Sequence, residues 1–397
     1  MAADMTGPLA GLKILDFTTL LPGPFATMTL ADLGAEVLSV ISGSRPDLVS
    51  YMPPFIPGTK LSAAAAYLGR GKRSLLLNLK DPRAVDIVDR LLATHDILIE
   101  QFRPGVMAKF GLSYATLREK HPSIIYCSLT GYGQTGPMKD RAGHDINYLA
   151  RSGLMGSAGR RDTGPTLMSM QIADVASGSY NSIIAILAAV IHRLKNGVGQ
   201  HLDISMTDGA MAFNAMMAAA CLVTGESLGR EEFFLNGGAL YDFYETADGE
   251  YLSFGGLEPQ FFSAFCQAIE RPDLIPGSVA PPDCARVKED IREIIQSRTR
   301  VEWEAVFAAT DACVEPVLSL AEALNSELAR DRGMVVDVPL PDGGTIRQLA
   351  HPIKYSATPP AYSRTGVAAG THNNDVLREI GFTADEIEVF EKTGLFS

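Results

Sequence analysis

The chain has 397 residues, of which 46% are hydrophobic and 20% are charged, and this length predicts more than one compact core. Its 34 basic and 46 acidic residues give a formal net charge of −12, which argues against a nucleic-acid-binding protein because such proteins carry a basic face. The five cysteines are scattered without a CxxC pair, which argues against a disulfide framework or a zinc site and predicts a reducing, cytoplasmic location.

The first 135 residues alternate between short β-branched runs and helical stretches. Helices are predicted from Pro22 to about Gly34, from Asp81-Pro82 to about Ala93, and around residues 114–120. Strands are predicted at residues 12–18, 36–41, 74–80, 97–102 and 124–129. Repeated strand–helix–strand units of this length predict a mostly parallel, doubly wound, Rossmann-like α/β sheet with helices on both faces. No GxGxxG motif follows the first strand, so a nicotinamide site has no support.

The remainder of the chain begins with long helical patterns at residues 174–195 and 208–220 and then changes character. The most apolar stretch, residues 183–191, is too short to span a membrane, so no membrane partner is expected. Further predicted elements are aromatic strands within 233–256 around a turn at Asp248-Gly249, helices at 259–270 and 285–298, a hairpin near 341–344 and a helix at 375–380. Boundaries near residues 225 and 335 therefore predict a separate middle domain.

The densest polar cluster in an apolar context is the segment GHDINY at residues 143–148, which follows a glycine-rich turn after a predicted strand. Ligands of open α/β sheets bind beyond the carboxyl ends of the strands. A histidine at this place, His144, could act as a general base, and the backbone N–H groups of the helix start could bind an oxyanion. The alternative is that His144 caps the helix and Asp145 is its first-turn acid.

Two further carboxylates are candidates. Asp174 lies among apolar neighbours, where desolvation would raise its pKa and suit it to both acid and base roles; the alternative is a helix N-cap. Glu258, after two glycines and before a proline, lies on a turn and could simply be solvated. For anions, one basic run (Arg70, Lys72, Arg73, Lys80) and the pair Arg103 and Lys109 suit a diphosphate-bearing ligand, although such runs are commonly just a solvated face.

Several phrases together resemble the family III CoA-transferase and α-methylacyl-CoA racemase (CaiB/BaiF-like) family. They are GPLAGLKILDFTTLLPGPFATMTLADLGAEVLSV, RSLLLNLK, QFRPGVMAKFGL, SLTGYGQTGP, MTDGAM and CVEPVLSLAEA. The resemblance implies a large α/β CoA-binding domain built from residues 1–224 and 336–397, and a small α+β domain at residues 225–335. It also implies an interlocked homodimer whose active sites lie between the large domain of one subunit and the small domain of the other.

The resemblance separates two enzymatic branches. The transferase branch uses an aspartate, matched here by Asp145, as a nucleophile that forms a mixed anhydride. The racemase branch carries GHDINY with its histidine as one base and an aspartate thirty residues later as the other, matched by His144 and Asp174. The glutamate that assists the histidine in the racemases is matched by Glu258.

These matches favour a racemase that inverts the α-carbon of a 2-methylacyl-CoA thioester through an enolate, with the Asp145 backbone N–H binding the enolate oxygen. The alternatives are a family III CoA-transferase that uses Asp145, and a non-catalytic acyl-CoA binding protein. CoA is part of the substrate, so no separate cofactor and no metal is expected. The resemblance assigns CoA contacts to Leu77, Asn78, Leu79, Lys80, Gln101, Phe102, Arg103, Lys109, Gly143 and Tyr148.

One departure from the family pattern concerns the nucleotide. Racemases commonly carry an arginine soon after the second strand, where this chain has Ser42. Arg45 is a possible substitute, and the loop at residues 42–66 is longer than expected.

Overall fold

The structure is a computed structural model and describes residues 7–44 and 46–396, so Arg45 lies outside the described residues. The strands, in chain order, are β1 (Lys13–Phe17), β2 (Glu36–Ile41), β3 (Arg73–Leu76), β4 (Ile97–Glu100), β5 (Ile125–Thr130), β6 (His201–Ser205), β7 (Asp242–Glu245), β8 (Tyr251–Phe254), β9 (Val314–Pro316), β10 (Val335–Pro339) and β11 (Thr345–Leu349).

The α-helices are α1 (Pro22–Asp32), α2 (Ala63–Leu68), α3 (Arg83–Leu92), α4 (Val106–Lys109), α5 (Tyr114–Lys120), α6 (Asp145–Ser152), α7 (Leu154–Ser157), α8 (Tyr180–Asn196), α9 (Met206–Ala212), α10 (Ala215–Thr224), α11 (Pro259–Ala268), α12 (Cys284–Ile295), α13 (Arg300–Phe307), α14 (Leu320–Asn325), α15 (Glu327–Asp331), α16 (Asn373–Glu379) and α17 (Ala384–Lys392). A π-helix (Ala173–Ser179) leads directly into α8, and 3₁₀ helices occupy Leu48–Tyr51 and Pro272–Gly277.

Six parallel strands form the main sheet in the order β3-β2-β1-β4-β5-β6. This confirms the predicted parallel α/β sheet, and its order reverses between β1 and β4, which is the place where doubly wound sheets bind their ligands. The edge strand β6 was not predicted from the sequence. Its residues alternate between exposed and half-buried positions, so it lacks the continuous apolar run of the central strands.

Helices cover both faces of this sheet. On one face, Leu15, Leu38 and Leu98 pack with α3 and with Leu377 of α16. On the other face, strand residues such as Ile97 and Ile125 pack against α1 and against Ile186 of α8. Strands buried on both faces are mostly apolar, which is why β4 and β5 stand out in the sequence.

The C-terminal segment is held against the N-terminal half by buried polar contacts. The Arg70 guanidinium, 1% exposed, pairs with Asp32 and donates to the Leu349 carbonyl oxygen at 2.7 Å. The Asn78 backbone N–H donates to the Leu395 carbonyl oxygen at 2.8 Å. Residues near both chain ends therefore share one core.

The chain divides into two compact units. The large unit comprises the described parts of Met1–Ser152, Ser169–Ala212 and Arg330–Ser397, and the small unit comprises Gly153–Met168 and Phe213–Ala329. The predicted boundaries at 225 and 335 therefore lie later in the chain than the observed ones, and the excursion at residues 153–168 was not predicted.

The boundary near residue 213 coincides with an error in the sequence-based prediction. The single helix expected at residues 208–220 is two separate helices, α9 and α10, the first in the large unit and the second in the small unit. The small unit has its own antiparallel sheet, β7-β8-β9, and a core that includes Tyr244, Phe265 and Trp303.

The longest helical stretch of the described chain is Ala173–Asn196, which joins the π-helix to α8. Its length and composition alone would be compatible with crossing a membrane, and so would those of the bent pair formed by α9 and α10. The apolar run at residues 183–191 lies within the long helix predicted at residues 174–195, which the structure confirms as the π-helix followed by α8. In the most apolar 18-residue segment of this helix, 44% is buried within the large unit. Core helices of globular proteins have a similarly apolar composition.

Candidate active site

A cavity of about 430 Å³ lies in the large unit at the carboxyl ends of β1, β4 and β5. Its wall is formed by the residues that follow these strands and by the segment that precedes α6. The lining includes Gln101, Arg103, Tyr132, His144, Tyr148 and Asp174. Because these strands flank the point where the sheet order reverses, the cavity occupies the ligand position expected for a doubly wound sheet.

His144 immediately precedes α6, and its exposed side chain lines the cavity. Its backbone N–H donates to Asn147 Oδ1 at 3.0 Å, and its carbonyl oxygen accepts from the Asn147 backbone N–H at 2.8 Å. The residue thus occupies the capping position through its backbone, while Asn147 supplies the side-chain hydrogen bond. Because these hydrogen bonds use only the backbone of His144, its imidazole remains available to a ligand in the cavity.

Asp145 lies in the first turn of α6 and also makes a contact outside this helix. Its Oδ1 accepts a hydrogen bond from the backbone N–H of Asp174 at 3.0 Å. The Asp145 carboxylate therefore fixes the start of the segment that carries Asp174.

Asp174 lies in the π-helix and lines the same cavity as His144. Burial raises the pKa of the Asp174 carboxyl to about 7, with a further contribution from the negative charge of Asp145. Both protonation states of Asp174 are then available near neutral pH, which is what an acid that also acts as a base requires.

The Tyr148 ring closes one wall of the cavity and explains two glycines of the motifs. Its hydroxyl donates to the Gly143 carbonyl oxygen at 2.5 Å, and its ring meets Tyr132 edge to face. A Cβ at Gly131 would lie 2.3 Å from the Tyr148 ring, and one at Gly143 would lie 2.7 Å from it. Only glycine fits at either position while the ring keeps its place.

The predicted CoA contacts separate into two groups. Gln101, Phe102, Arg103, Gly143 and Tyr148 line the cavity. By contrast, the side chains of Leu77 and Leu79 belong to the hydrophobic core, so any ligand contact from residues 77–80 must come from the backbone, Asn78 or Lys80. Lys80 and Lys109 are exposed and are not part of the cavity lining.

Two cations of the lining were missed in the sequence. Lys139 and Arg141 lie in the segment between the glycine-rich turn and the GHDINY motif, and both line the cavity together with Arg103. The signal was present as the tetrapeptide KDRA directly before the motif. Three cations at one cavity suit a ligand that carries phosphates.

Glu258 belongs to the small unit, where its side chain is exposed and its backbone caps α11. Its role beside His144 stays a prediction. Among residues 7–44 and 46–396, no group of three or more His, Cys, Asp or Glu side chains is placed to hold a metal ion.

Comparisons with known proteins place the chain in a family. The model of CoA-transferase family III matches residues 9–373. The alpha-methylacyl-CoA racemase of Homo sapiens is 34% identical over 384 residues, which cover 96% of this chain and 95% of the relative. The succinyl-CoA:glutarate CoA-transferase of Mus musculus is 33% identical over 385 residues, which cover 95% of this chain and 87% of the relative.

A crystal structure of a CaiB/BaiF family protein from Brucella suis superimposes with a TM-score of 0.83 at 28% identity, covering 94% of this chain and 100% of that chain. Racemases and transferases resemble this chain about equally, so the comparisons establish the family and leave the choice of reaction to the chemistry of the site. The resemblance seen in the sequence is confirmed: the chain belongs to CoA-transferase family III.

Proposed function

We propose that this protein is an α-methylacyl-CoA racemase in which His144 and Asp174 are the two proton-transfer groups. The observation that carries the proposal is that both side chains line one cavity at the carboxyl ends of the central strands. Inversion of an α-carbon needs one group to remove the proton from one face and another to return a proton to the opposite face. Two acid–base groups of different chemistry at one cavity support that arrangement.

The intermediate would be an enolate, whose oxygen must be stabilised. The first N–H groups of a helix have no partner within their own helix, so the start of α6 offers donors such as the Asp145 N–H. Because the Asp145 carboxylate is bonded to the Asp174 backbone, its contribution to the substrate would come from this N–H. No cofactor is needed for these steps, since CoA is part of the substrate.

Binding of the CoA part is proposed for the cations of the cavity. Arg103, Lys139 and Arg141 would neutralise the phosphates, while Tyr148 and Gly143 shape the wall nearest the thioester. These residues bind the part of the substrate that is the same for every acyl group.

We also propose that the active protein is a homodimer, in which Glu258 of one subunit assists His144 of the other. Support comes from α10 of the small unit, an apolar helix without a buried residue, on which Leu222 and Val223 are 86% and 87% exposed. Such a surface is typical of an interface between protein chains. Light scattering of wild type and Leu222→Lys would test this, with Leu320→Lys, at an exposed leucine of α14, as the control.

The second candidate is a CoA-transferase, which the 33% identical succinyl-CoA:glutarate CoA-transferase favours. A transferase forms an acyl–carboxylate anhydride as the CoA thiolate leaves. The geometry favours Asp174 for this role over Asp145, the residue proposed from the sequence, because Asp174 lines the cavity and Asp145 Oδ1 accepts the Asp174 N–H.

The two reactions differ in the fate of the α-proton. We expect wild-type protein in D₂O to exchange the α-proton of both epimers of 2-methylacyl-CoA without any acceptor acid. His144→Ala and Asp174→Ala should each lose inversion and retain exchange of at most the one epimer whose α-proton faces the remaining group. His192→Ala and Asp342→Asn, at an exposed histidine of α8 and an exposed hairpin aspartate, are the controls. Acceptor-dependent CoA transfer without exchange, with inactivation by hydroxylamine, would refute the racemase. Binding without either reaction would indicate an acyl-CoA binding protein.

A further inference from the structure

We propose that Ser179 is a positioning residue for Asp174, because its hydroxyl ties the π-helical turn that carries Asp174 to the first turn of α1, called here the Pro22-Gly23 turn, and thereby to Gln101. The inference rests on the proposed role of Asp174. It assigns a task to a buried serine that touches neither CoA nor the reacting carbon.

The π-helix places Asp174 and Ser179 at its two ends. Its backbone hydrogen bonds span five residues, as in the bond from the Tyr180 N–H to the Val175 carbonyl oxygen. Ser179 is fully buried, and its Oγ donates to the Pro22 carbonyl oxygen at 2.6 Å, with the Asp174 carbonyl oxygen at 3.2 Å. Single π-helical turns within α-helices are rare and are frequently found at functional sites.

The Pro22-Gly23 turn, which accepts the Ser179 hydroxyl, is itself held in place by further hydrogen bonds. The Gly23 N–H donates to Gln101 Oε1 at 3.1 Å, so the Gln101 amide oxygen is engaged with the protein. One residue further, the Pro24 carbonyl oxygen accepts from Lys72 Nζ at 2.9 Å, and the same ammonium pairs with the buried Asp16 carboxylate. The buried Lys72 ammonium keeps the Pro24 carbonyl oxygen and the Asp16 carboxylate in place, because separating it from them would leave a buried charge without a partner.

The opposite side of the π-helix is packed against α9. The Ser177 hydroxyl donates to the Met206 carbonyl oxygen at 2.7 Å, and a Cβ at Gly178 would lie 3.0 Å from the Met206 side chain. These contacts with α9 hold Ser177 and Gly178, so loss of the Ser179 hydrogen bond would act on the part of the turn that carries Asp174. Pro22, Gln101 and Asp174 all line the cavity. The hydrogen bond from Ser179 to Pro22 therefore fixes the Asp174 carboxyl relative to the segment 101–103, which ends at Arg103.

The alternative is that Ser179 only satisfies its own hydroxyl, as serines in helices commonly do. Ser182 provides the matched control for that possibility. It is also fully buried and one turn further along the same helix, but its Oγ donates to the Gly178 carbonyl oxygen within the helix at 2.8 Å. Both alanine variants lose a buried hydroxyl, and only Ser179→Ala loses the tie to the Pro22-Gly23 turn.

The experiment measures α-proton exchange of 2-methylacyl-CoA by wild type, Ser179→Ala, Ser179→Cys and Ser182→Ala. We expect Ser179→Ala to lower kcat about ten- to a hundredfold with KM changed less than about twofold, because a misplaced reacting group costs rate and not CoA binding. The pH midpoint of kcat should also shift, since Asp174 would meet more solvent. Ser182→Ala should keep kcat within about threefold of wild type. Ser179→Cys keeps the side-chain size and covers the case in which the alanine variant does not fold.

Amide hydrogen exchange of residues 173–180 separates failure of this inference from failure of the proposed function. Faster exchange there in Ser179→Ala, but not in Ser182→Ala, supports the tie even if wild type proves to transfer CoA instead. Equal kcat values and equal amide exchange in the two alanine variants would overturn the inference while leaving the racemase intact. An absence of α-proton exchange in the wild type would refute only the proposed function.

Discussion

Replacement of Asp174 by asparagine should remove the reaction and yet stabilise the large unit at alkaline pH. In the folded chain the pKa of this carboxyl is raised from the ordinary 3.8 to about 7, chiefly by burial. Since each pKa unit corresponds to about 1.4 kcal/mol, a shift of about three units gives roughly 4 kcal/mol as an upper bound. The side chain is only partly buried, so solvent screening reduces the expected gain to about 2 kcal/mol.

The sign of the effect follows from the unfolded state. Below pH 3.8 the carboxyl is protonated in both states, and Asp174 imposes no ionisation cost on folding. As the pH rises from 3.8 to about 7, the unfolded chain ionises first, so the wild type loses stability over this window, and the loss is complete above it. Asparagine cannot ionise, so the advantage of Asp174→Asn should be small near pH 4 and full near pH 8.

Urea unfolding at pH 4.5, 6 and 8 would measure this difference, with far-UV circular dichroism reporting the whole chain. Trp303, the only tryptophan of the sequence, lies in the core of the small unit, so its fluorescence follows that unit separately. We expect Asp174→Asn to shift the unfolding transition of the large unit, which circular dichroism detects, and to leave the transition followed by Trp303 fluorescence unchanged. Asp342→Asn is the matched control at an exposed position. Equal shifts at pH 4.5 and pH 8, or a variant less stable than wild type at pH 8, would refute the reasoning.

Three further outcomes are expected. Lys72→Met should destabilise the large unit by about 3–5 kcal/mol because it leaves the buried Asp16 carboxylate without its ion-pair partner. Lys13→Met, which breaks a partly exposed pair with Glu36, should cost less than about 1 kcal/mol in the same urea assay. Gly131→Ala should lower kcat/KM at least about tenfold by displacing the Tyr148 ring, and Gly156→Ala, which faces open space, should not. Glu100→Gln should stabilise the large unit above pH 7 and not near pH 4, because burial raises the pKa of Glu100 to about 7; a pH-independent effect would contradict this.

The sequence by itself determined five of the six strands of the main sheet and most of the helices around it. Strands such as β4 are mostly apolar because both of their faces are buried, and this leaves a nearly continuous apolar run in the chain. Helix α5 begins and ends where it was predicted, since Ser113 caps its start and a proline follows its last turn. The residues of the GHDINY motif and Asp174 were also identified from the sequence, through their polarity in an apolar context and through the family resemblance.

Only the tertiary structure decided what these residues do to one another. The bonds from Asp174 N–H to Asp145, from Ser179 to Pro22 and from Gly23 to Gln101 join positions far apart in the chain. Neither β6 nor the break between α9 and α10 was predicted, because an edge strand and a helix break depend on their neighbours more than on their own periodicity. The apolar neighbours of Asp174 predicted that desolvation would raise its pKa, and this is confirmed, but the size of the rise depends on the tertiary packing around the side chain and on the charge of Asp145.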